Sequence, residues 1–393
     1  MSRKNDTGKS SRTTQRAAMA FTRRTLLQSG AAIATISLAA PFIAKRALSS
    51  SGEVNVYAWS DYIWPEHMES FEKATGVKVN LSKYGSNDEV LTKLKASKGK
   101  GFDIVFPSVT YGPAWYQSGD LLQPIDESKV NVDMILPAMW KKSKKLGATF
   151  QRKRYLIPYD WGTEAIVYDS SQRNYKYGEL SFGDLWSDEN KGLVTVRQKS
   201  ALVSIGIHLD ATGAVPSNNM LDTYKDEATM RGVYDKILAF AIEHKPAVRQ
   251  FWNNTQETLN AFYQNNCVIG QCWDGPSLRM MKETDGKIRY LMPKEGGLAW
   301  LDTMGIPSGA ENLEQAYAFI NHLLTPEMGA IFANNSGYNS AVVGADKLLD
   351  AANKANFALA YPGDAIDRLW WWPPEPAWWV STRAQYVDKF NAA

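Results

Sequence analysis

Trp59-Ser60-Asp61-Tyr62 sets a carboxylate between two aromatic rings at the end of an alternating apolar run. That composition suits an ammonium group: the acid accepts a charge-assisted hydrogen bond and the ring faces add cation–π attraction. The same residues also serve as a helix start, with Asp61 as the cap and the rings as packing. Trp300-Leu301-Asp302 repeats the pairing of tryptophan and acid at a second strand end, and Trp273-Asp274 at a third. Three such pairs are harder to assign to capping and packing than one. Trp252 sits in the polar loop 249–254, where an indole can either pack or face a ligand. Arg197-Gln198-Lys199-Ser200 is a basic patch after an apolar run. It is either a solvated turn, the usual place for Lys and Arg, or a fork for a carboxylate.

Other chemistry is sparse. The four histidines (His67, His208, His244, His322) share no metal-ligand spacing. Cys267 and Cys272 lie in one apolar run, roughly 17 Å apart if it is a strand at about 3.3 Å per residue. That separation forbids a disulfide, so both read as small buried hydrophobes. There is no GxSxG, HExxH or phosphate loop. Asp61 and Asp302 across a cleft would still imitate a glycosidase pair, and an aromatic cleft would also stack a sugar, so a hydrolase and an oligosaccharide-binding protein stand as rivals. No cofactor and no metal is expected.

The elements that must position these residues alternate. Residues 54–59, 77–81 and 102–106 predict strands, separated by helices opening at Pro65 and behind the Ser86-Asn87-Asp88-Glu89 cap. Strands alternating with helices make right-handed crossovers and a parallel sheet. Ligands bind such sheets beyond the carboxyl ends of the strands, where Trp59 to Tyr62 and Ser108 lie. Past Ile157-Pro158-Tyr159 a second unit is expected: strands at 164–168 and 193–196, a helix over 222–243, a helix over 256–265 and the strand with the cysteines. Asp274-Gly275-Pro276 breaks that strand and marks a return to the first unit. A strand over 298–306 and helices over 313–324 and 327–334 follow. A chain that leaves one unit, builds another and returns has two connecting strands, a hinge geometry with the site in the cleft.

The beginning of the chain carries an address. Thr22-Arg23-Arg24-Thr25-Leu26-Leu27 ahead of a mildly apolar run has the form of a twin-arginine export signal. Residues 26–44 are diluted by Gln28, Ser29, Thr35, Ser37 and Pro41, which disfavours a membrane anchor. Residues 1–50 hold nine basic residues and one acid, so removing that leader's +8 turns the chain's +3 into −5. A net-acidic exported protein is a poor partner for nucleic acid or anionic lipid.

The segments Val56 to Ile63, Phe71 to Val79, Ser86 to Glu89, Phe102 to Ser108, Ile157 to Gly162, Pro293 to Gly297 and Trp300 to Asp302 resemble, in order, the periplasmic spermidine/putrescine-binding proteins of ABC importers. The resemblance implies an α/β, two-lobed type II periplasmic binding protein, each lobe a mixed sheet flanked by helices and joined by a two-strand hinge. It implies a soluble periplasmic monomer that captures a small amine and hands it to a membrane permease. Site positions matching the family are Trp59, Ser60, Asp61, Tyr62, Ser108, Trp300, Asp302 and Tyr338. The expected organisation is a signal over 1–50, a first lobe over 51–158 and 274–310, a second lobe over 159–273, and a C-terminal segment over 311–393 packing mainly on the second lobe. The family's acids for a second amine are replaced by Arg197-Gln198-Lys199-Ser200, and Pro276 stands where a further acid is expected. At about 4 Å a second ammonium facing Arg197 or Lys199 costs on the order of 1–4 kcal/mol. An ω-amino acid such as 4-aminobutyrate, amine on Asp61 and Asp302 and carboxylate on Arg197, therefore rivals the polyamines. The tail 367–379, with five tryptophans, reads either as packing along the back of a lobe or as a docking surface for the permease, packing being favoured.

Overall fold

The computed structural model describes residues 52–116 and 121–393, so the leader read as an export signal lies outside the described residues. β1 (Glu53–Trp59) buries Val54, Val56 and Ala58 completely. Pro65 opens α1 (Pro65–Thr75), and Gly76, at φ 75°, closes it with a left-handed cap. β2 (Lys78–Tyr84) leads to α2 (Asn87–Ser97), whose Ser86 cap accepts the Glu89 N–H at 3.1 Å. β3 (Ile104–Val105) is shorter than its apolar run. Just before it, the buried Asp103 carboxylate accepts N–H groups from Asn55, Glu311 and Asn312, tying the strand's start to distant backbone. β1 pairs in parallel with both β2 and β3, as the alternation predicts.

The crossing strand is longer than its sequence pattern. β4 (Leu156–Asp169) runs for 14 residues, all buried, where only 164–168 read as strand. Beyond it come β5 (Val194–Val196), α3 (Gln198–Ala211), α4 (Glu227–Glu243), β6 (Val248–Phe251), α5 (Thr255–Tyr263) and β7 (Ile269–Trp273). The helix expected over 222–243 is split, because the Asp226 side chain takes the Thr229 N–H and starts α4 afresh. Asp274 opens α6 (Asp274–Glu283) directly. Pro276 falls in its first turn, where a missing N–H costs nothing. β8 (Ile288–Leu291) and β9 (Leu298–Gly305) follow.

The main sheet runs β2-β1-β3-β9-β4-β7-β5-β6, with β8 beside β4. β9 and β4 pair antiparallel from Leu298↔Glu164 to Gly305↔Leu156. These two central strands carry the chain out of the β1–β3 lobe and back, with β7, β5 and β6 forming the sheet of the other.

α7 (Leu313–Leu323) and α8 (Pro326–Ser336) pack on β1 and α1, placing Phe319, Ile320 and Phe332 in one core with Val56 and Phe71. The apolar faces of α7 and α8 thus complete the core around β1 and α1, whereas Trp370, Trp372, Trp379, Tyr386 and Phe390 share the core of the β5–β7 side. α9 (Ala351–Ala360) covers α6 and β8, β10 (Trp370–Trp371) runs parallel to the start of β9, and only α10 (Ala377–Ala392) docks on α3 and α4. Cys267 and Cys272 are buried free thiols. No helix among the described residues is long and apolar enough to cross a membrane.

Candidate ligand-binding cleft

A cleft of about 990 Å³, counted out to its open mouth, separates the β1–β3 side from the β5–β7 side. It gathers every site residue expected from sequence except Trp252 and Asp274. Trp252 is wholly buried, donates its indole N–H to the Gln271 carbonyl at 2.9 Å, and props the Trp273 ring edge-on at 4.8 Å. Asp274, as the first residue of α6, turns inward to accept the Tyr361 hydroxyl at 2.7 Å and the Asn339 amide at 3.0 Å. Burial pushes its carboxyl up to about 7.

Asp302 is the centre of the acidic end. Its Oδ2 accepts the Tyr62 hydroxyl at 2.6 Å, and its Oδ1 is buried with no hydrogen-bond partner among the described residues. The β4–β9 register shifts between Asp302 and Thr303, skipping Tyr159, whose carbonyl takes the Ala341 N–H instead. Such a bulge re-aims a side chain, and it also lets Pro158 sit in a central strand. Burial pushes the Asp302 carboxyl up to about 6, with the Tyr62 and Ser108 hydroxyls and the Lys199 and Arg197 charges pulling the other way. Asp160 is its registered partner on β4, fully buried with neither oxygen hydrogen-bonded among the described residues. Burial, and then the Asp302 charge, push the Asp160 carboxyl well above the usual carboxylate range. Asp61 accepts the Thr255 hydroxyl at 2.5 Å, a bond from the first lobe to the second.

Rings surround these acids. Trp59 is fixed by its N–H to the Phe106 carbonyl at 2.8 Å, and Trp300 meets Tyr338 edge-on at 5.3 Å. Two glycines make room: a Cβ on Gly162 would strike the Trp300 indole, and one on Gly275 the Tyr338 ring. Ser108 is held by Asn87, which accepts its N–H at 2.9 Å and donates to its hydroxyl at 2.8 Å.

The opposite end is mixed in charge. The Arg197 guanidinium lies over Trp273 at 4.8 Å and toward Trp252 at 5.7 Å, and no described residue accepts a hydrogen bond from it. Glu164, nearly fully buried, accepts the Ser200 hydroxyl at 2.7 Å. Burial pushes it up to about 7 against the pull of Arg197. Lys199 is spent on Glu375 at 3.4 Å.

Glu164, Tyr111, Thr255, Trp372 and Glu375 line the cleft, and sequence reasoning does not single them out. An acid inside the apolar run 164–168 is a usable signal for Glu164. In the tail, Trp370, Trp372 and Trp379 are buried in one core with β5 and α4, and Trp372 and Glu375 also border the cleft. Five carboxyl groups line the cleft (Asp61, Asp88, Glu164, Asp302, Glu375) against two cationic side chains, Arg197 and Lys199, a balance that attracts cations. Among the described residues no group of three or more His, Cys, Asp or Glu is placed to hold a metal ion.

Residues 66–361 match the family model described as bacterial extracellular solute-binding protein. The spermidine/putrescine-binding periplasmic protein of Escherichia coli is 30% identical over 337 residues, covering 86% of this chain and 90% of that one. The putrescine/agmatine-binding protein of Pseudomonas aeruginosa is 28% identical, covering 80% and 85%. Among solved structures, a spermidine/putrescine ABC transporter substrate-binding protein from Streptococcus pneumoniae superposes with a TM-score of 0.69 at 27% identity, covering 87% of this chain and 99% of that one.

Proposed function

We propose, from the premise that this chain belongs to the bacterial extracellular solute-binding proteins, that it captures a small amine-bearing solute in the cleft and delivers it to the membrane permease of an ABC importer. Its relatives are substrate-binding transport proteins rather than enzymes. The observation that carries the amine is the buried Asp302 Oδ1, without a hydrogen-bond partner among the described residues, inside a wall of Trp59, Trp300 and Tyr338. A buried carboxylate oxygen without a donor is costly in the empty protein, and an ammonium N–H relieves that cost. The relatives' own ligands, putrescine, spermidine and agmatine, have ammonium or guanidinium groups of this kind. Calorimetric titration with putrescine, spermidine and 4-aminobutyrate tests the assignment. Affinity should weaken as salt is added, because the contact is a charge pair; a salt-insensitive sugar ligand would overturn it.

One observation favours a zwitterionic ω-amino acid over a diamine: the Arg197 guanidinium, held over Trp273 at the far end with no hydrogen-bond acceptor among the described residues. Its fork would hold a carboxylate at two points while the amine sits on Asp302. Tight spermidine binding with no response to 4-aminobutyrate excludes this version.

Export by the twin-arginine route to the periplasm, a monomeric state, and closure of the two lobes about β4 and β9 belong to the same proposal. A reporter fused behind residues 1–52 should need the twin-arginine pair for export, and Arg23→Lys/Arg24→Lys should abolish it.

A further inference from the structure

The wall at the far end of the cleft comes from the last part of the chain. The Trp370 backbone N–H bonds the Gly297 carbonyl at 2.9 Å and that of Trp372 the Ala299 carbonyl at 3.1 Å, so the segment extends along β9. Pro373, Pro374 and Pro376 then keep it extended while the Glu375 N–H bonds the Thr110 carbonyl at 3.0 Å, in the first lobe. From there α10 runs off across α3 and α4 of the second lobe. The segment is thus a third crossing between the lobes, and it passes along the cleft.

Its single acid is placed to govern charge. Glu375, almost fully buried, meets Lys199 at 3.4 Å through Oε1 and Arg383 at 2.6 Å through Oε2. Arg383 also donates to the Tyr111 hydroxyl at 3.1 Å, and Lys199 lies over the rings of Tyr111 and Trp372 at 5.0 and 5.1 Å. One carboxylate therefore stands against two cations, and Lys199 is the one that also lines the cleft.

We propose that Glu375 is a specificity-determining residue: by occupying Lys199 it keeps the far end of the cleft from presenting a free ammonium to the ligand, and so sets the preference between cationic and anionic ligand ends. The inference rests on the amine-binding reading above. With the Glu375 charge removed, the freed Lys199 joins Arg197 on the cleft wall, and together they repel an ammonium and attract a carboxylate.

The test is calorimetric titration of the full mature protein and its Glu375→Gln variant with putrescine, spermidine and 4-aminobutyrate. The ratio of diamine to 4-aminobutyrate affinity should fall by about tenfold or more in Glu375→Gln, and Lys199→Met/Glu375→Gln should restore it to within about threefold. An unchanged ratio, or an equal loss for all three ligands, overturns the inference. If Glu375→Gln does not fold, Lys199→Met alone decides: because Glu375 already masks Lys199, the ratio should stay within about threefold, and a rise of about tenfold or more, which would show Lys199 acting on the ligand despite Glu375, overturns the idea. Failure of the underlying reading looks different, since the unaltered protein would then bind none of the three.

Discussion

The Tyr62 hydroxyl donates to Asp302 Oδ2 across 2.6 Å, joining the loop after β1 to the middle of β9, 240 positions later. That bond occupies one carboxylate oxygen and leaves Oδ1 for a ligand. Asp302→Asn should therefore weaken amine binding by about 2–5 kcal/mol, the loss typical when one member of a buried charge pair is removed. Tyr62→Phe should cost only about 1 kcal/mol, the worth of one hydrogen bond. Calorimetry on both variants checks the order; equal losses would mean that Tyr62 itself contacts the ligand.

Affinity should depend on pH through the same carboxyl. Burial raises Asp302 from 3.8 to about 6, and only its ionised form accepts an ammonium. Binding should be level above about pH 7 and weaken by about tenfold per unit below about pH 6. The sign for stability is opposite. The folded protein holds this proton more tightly than the unfolded chain, so the contribution is full below the unfolded value and lost as pH rises through about 6. The stability of Asp302→Asn relative to the unaltered protein should accordingly increase from about pH 4 to about pH 8 in ligand-free thermal melts.

Glycines give a contrast between room and none. Gly162→Ala drives a Cβ into the Trp300 indole and should cost about 1–3 kcal/mol of stability as well as ligand affinity, since overpacking displaces the ring. Gly232, on α4, has nothing within 4 Å of its missing Cβ, so Gly232→Ala should leave binding untouched and stabilise by about 0.5–1 kcal/mol. Paired melts and titrations distinguish the two; a neutral Gly162→Ala would show that the indole is not seated there.

Much of this site is legible in the sequence because its residues lie where alternation ends. Trp59 to Tyr62, Ser108, Trp300 and Asp302 follow or sit in strands whose apolar pattern is plain, and the strand-end rule gathers them. Trp252 and Asp274 fall outside the cleft because sequence spacing does not say which side of a strand end a residue faces. Trp252 is the support beneath Trp273, and Asp274 is drawn inward by Tyr361 and Asn339. Trp372 and Glu375 are hidden for another reason. Their place depends on the path of an extended, proline-rich segment, which carries no periodicity to read. The same limit applies to α7 and α8: their amphipathic faces predict helices but not which lobe's core they complete.

The hydrogen bond from Thr255 to Asp61, at 2.5 Å, spans the cleft, and under the proposed lobe closure it is a contact of the closed form. Thr255→Val should remove it without emptying the acidic end, raising the dissociation constant by roughly two- to tenfold, in line with about 0.5–1.5 kcal/mol for one hydrogen bond. A ligand that touches both lobes shifts the population toward the closed form by its differential affinity. Small-angle scattering should thus show a larger radius of gyration in the ligand-free protein, contraction on saturation with the bound amine, and a higher amine concentration for that contraction in Thr255→Val. No contraction on saturation would remove lobe closure from the account while leaving the amine site intact.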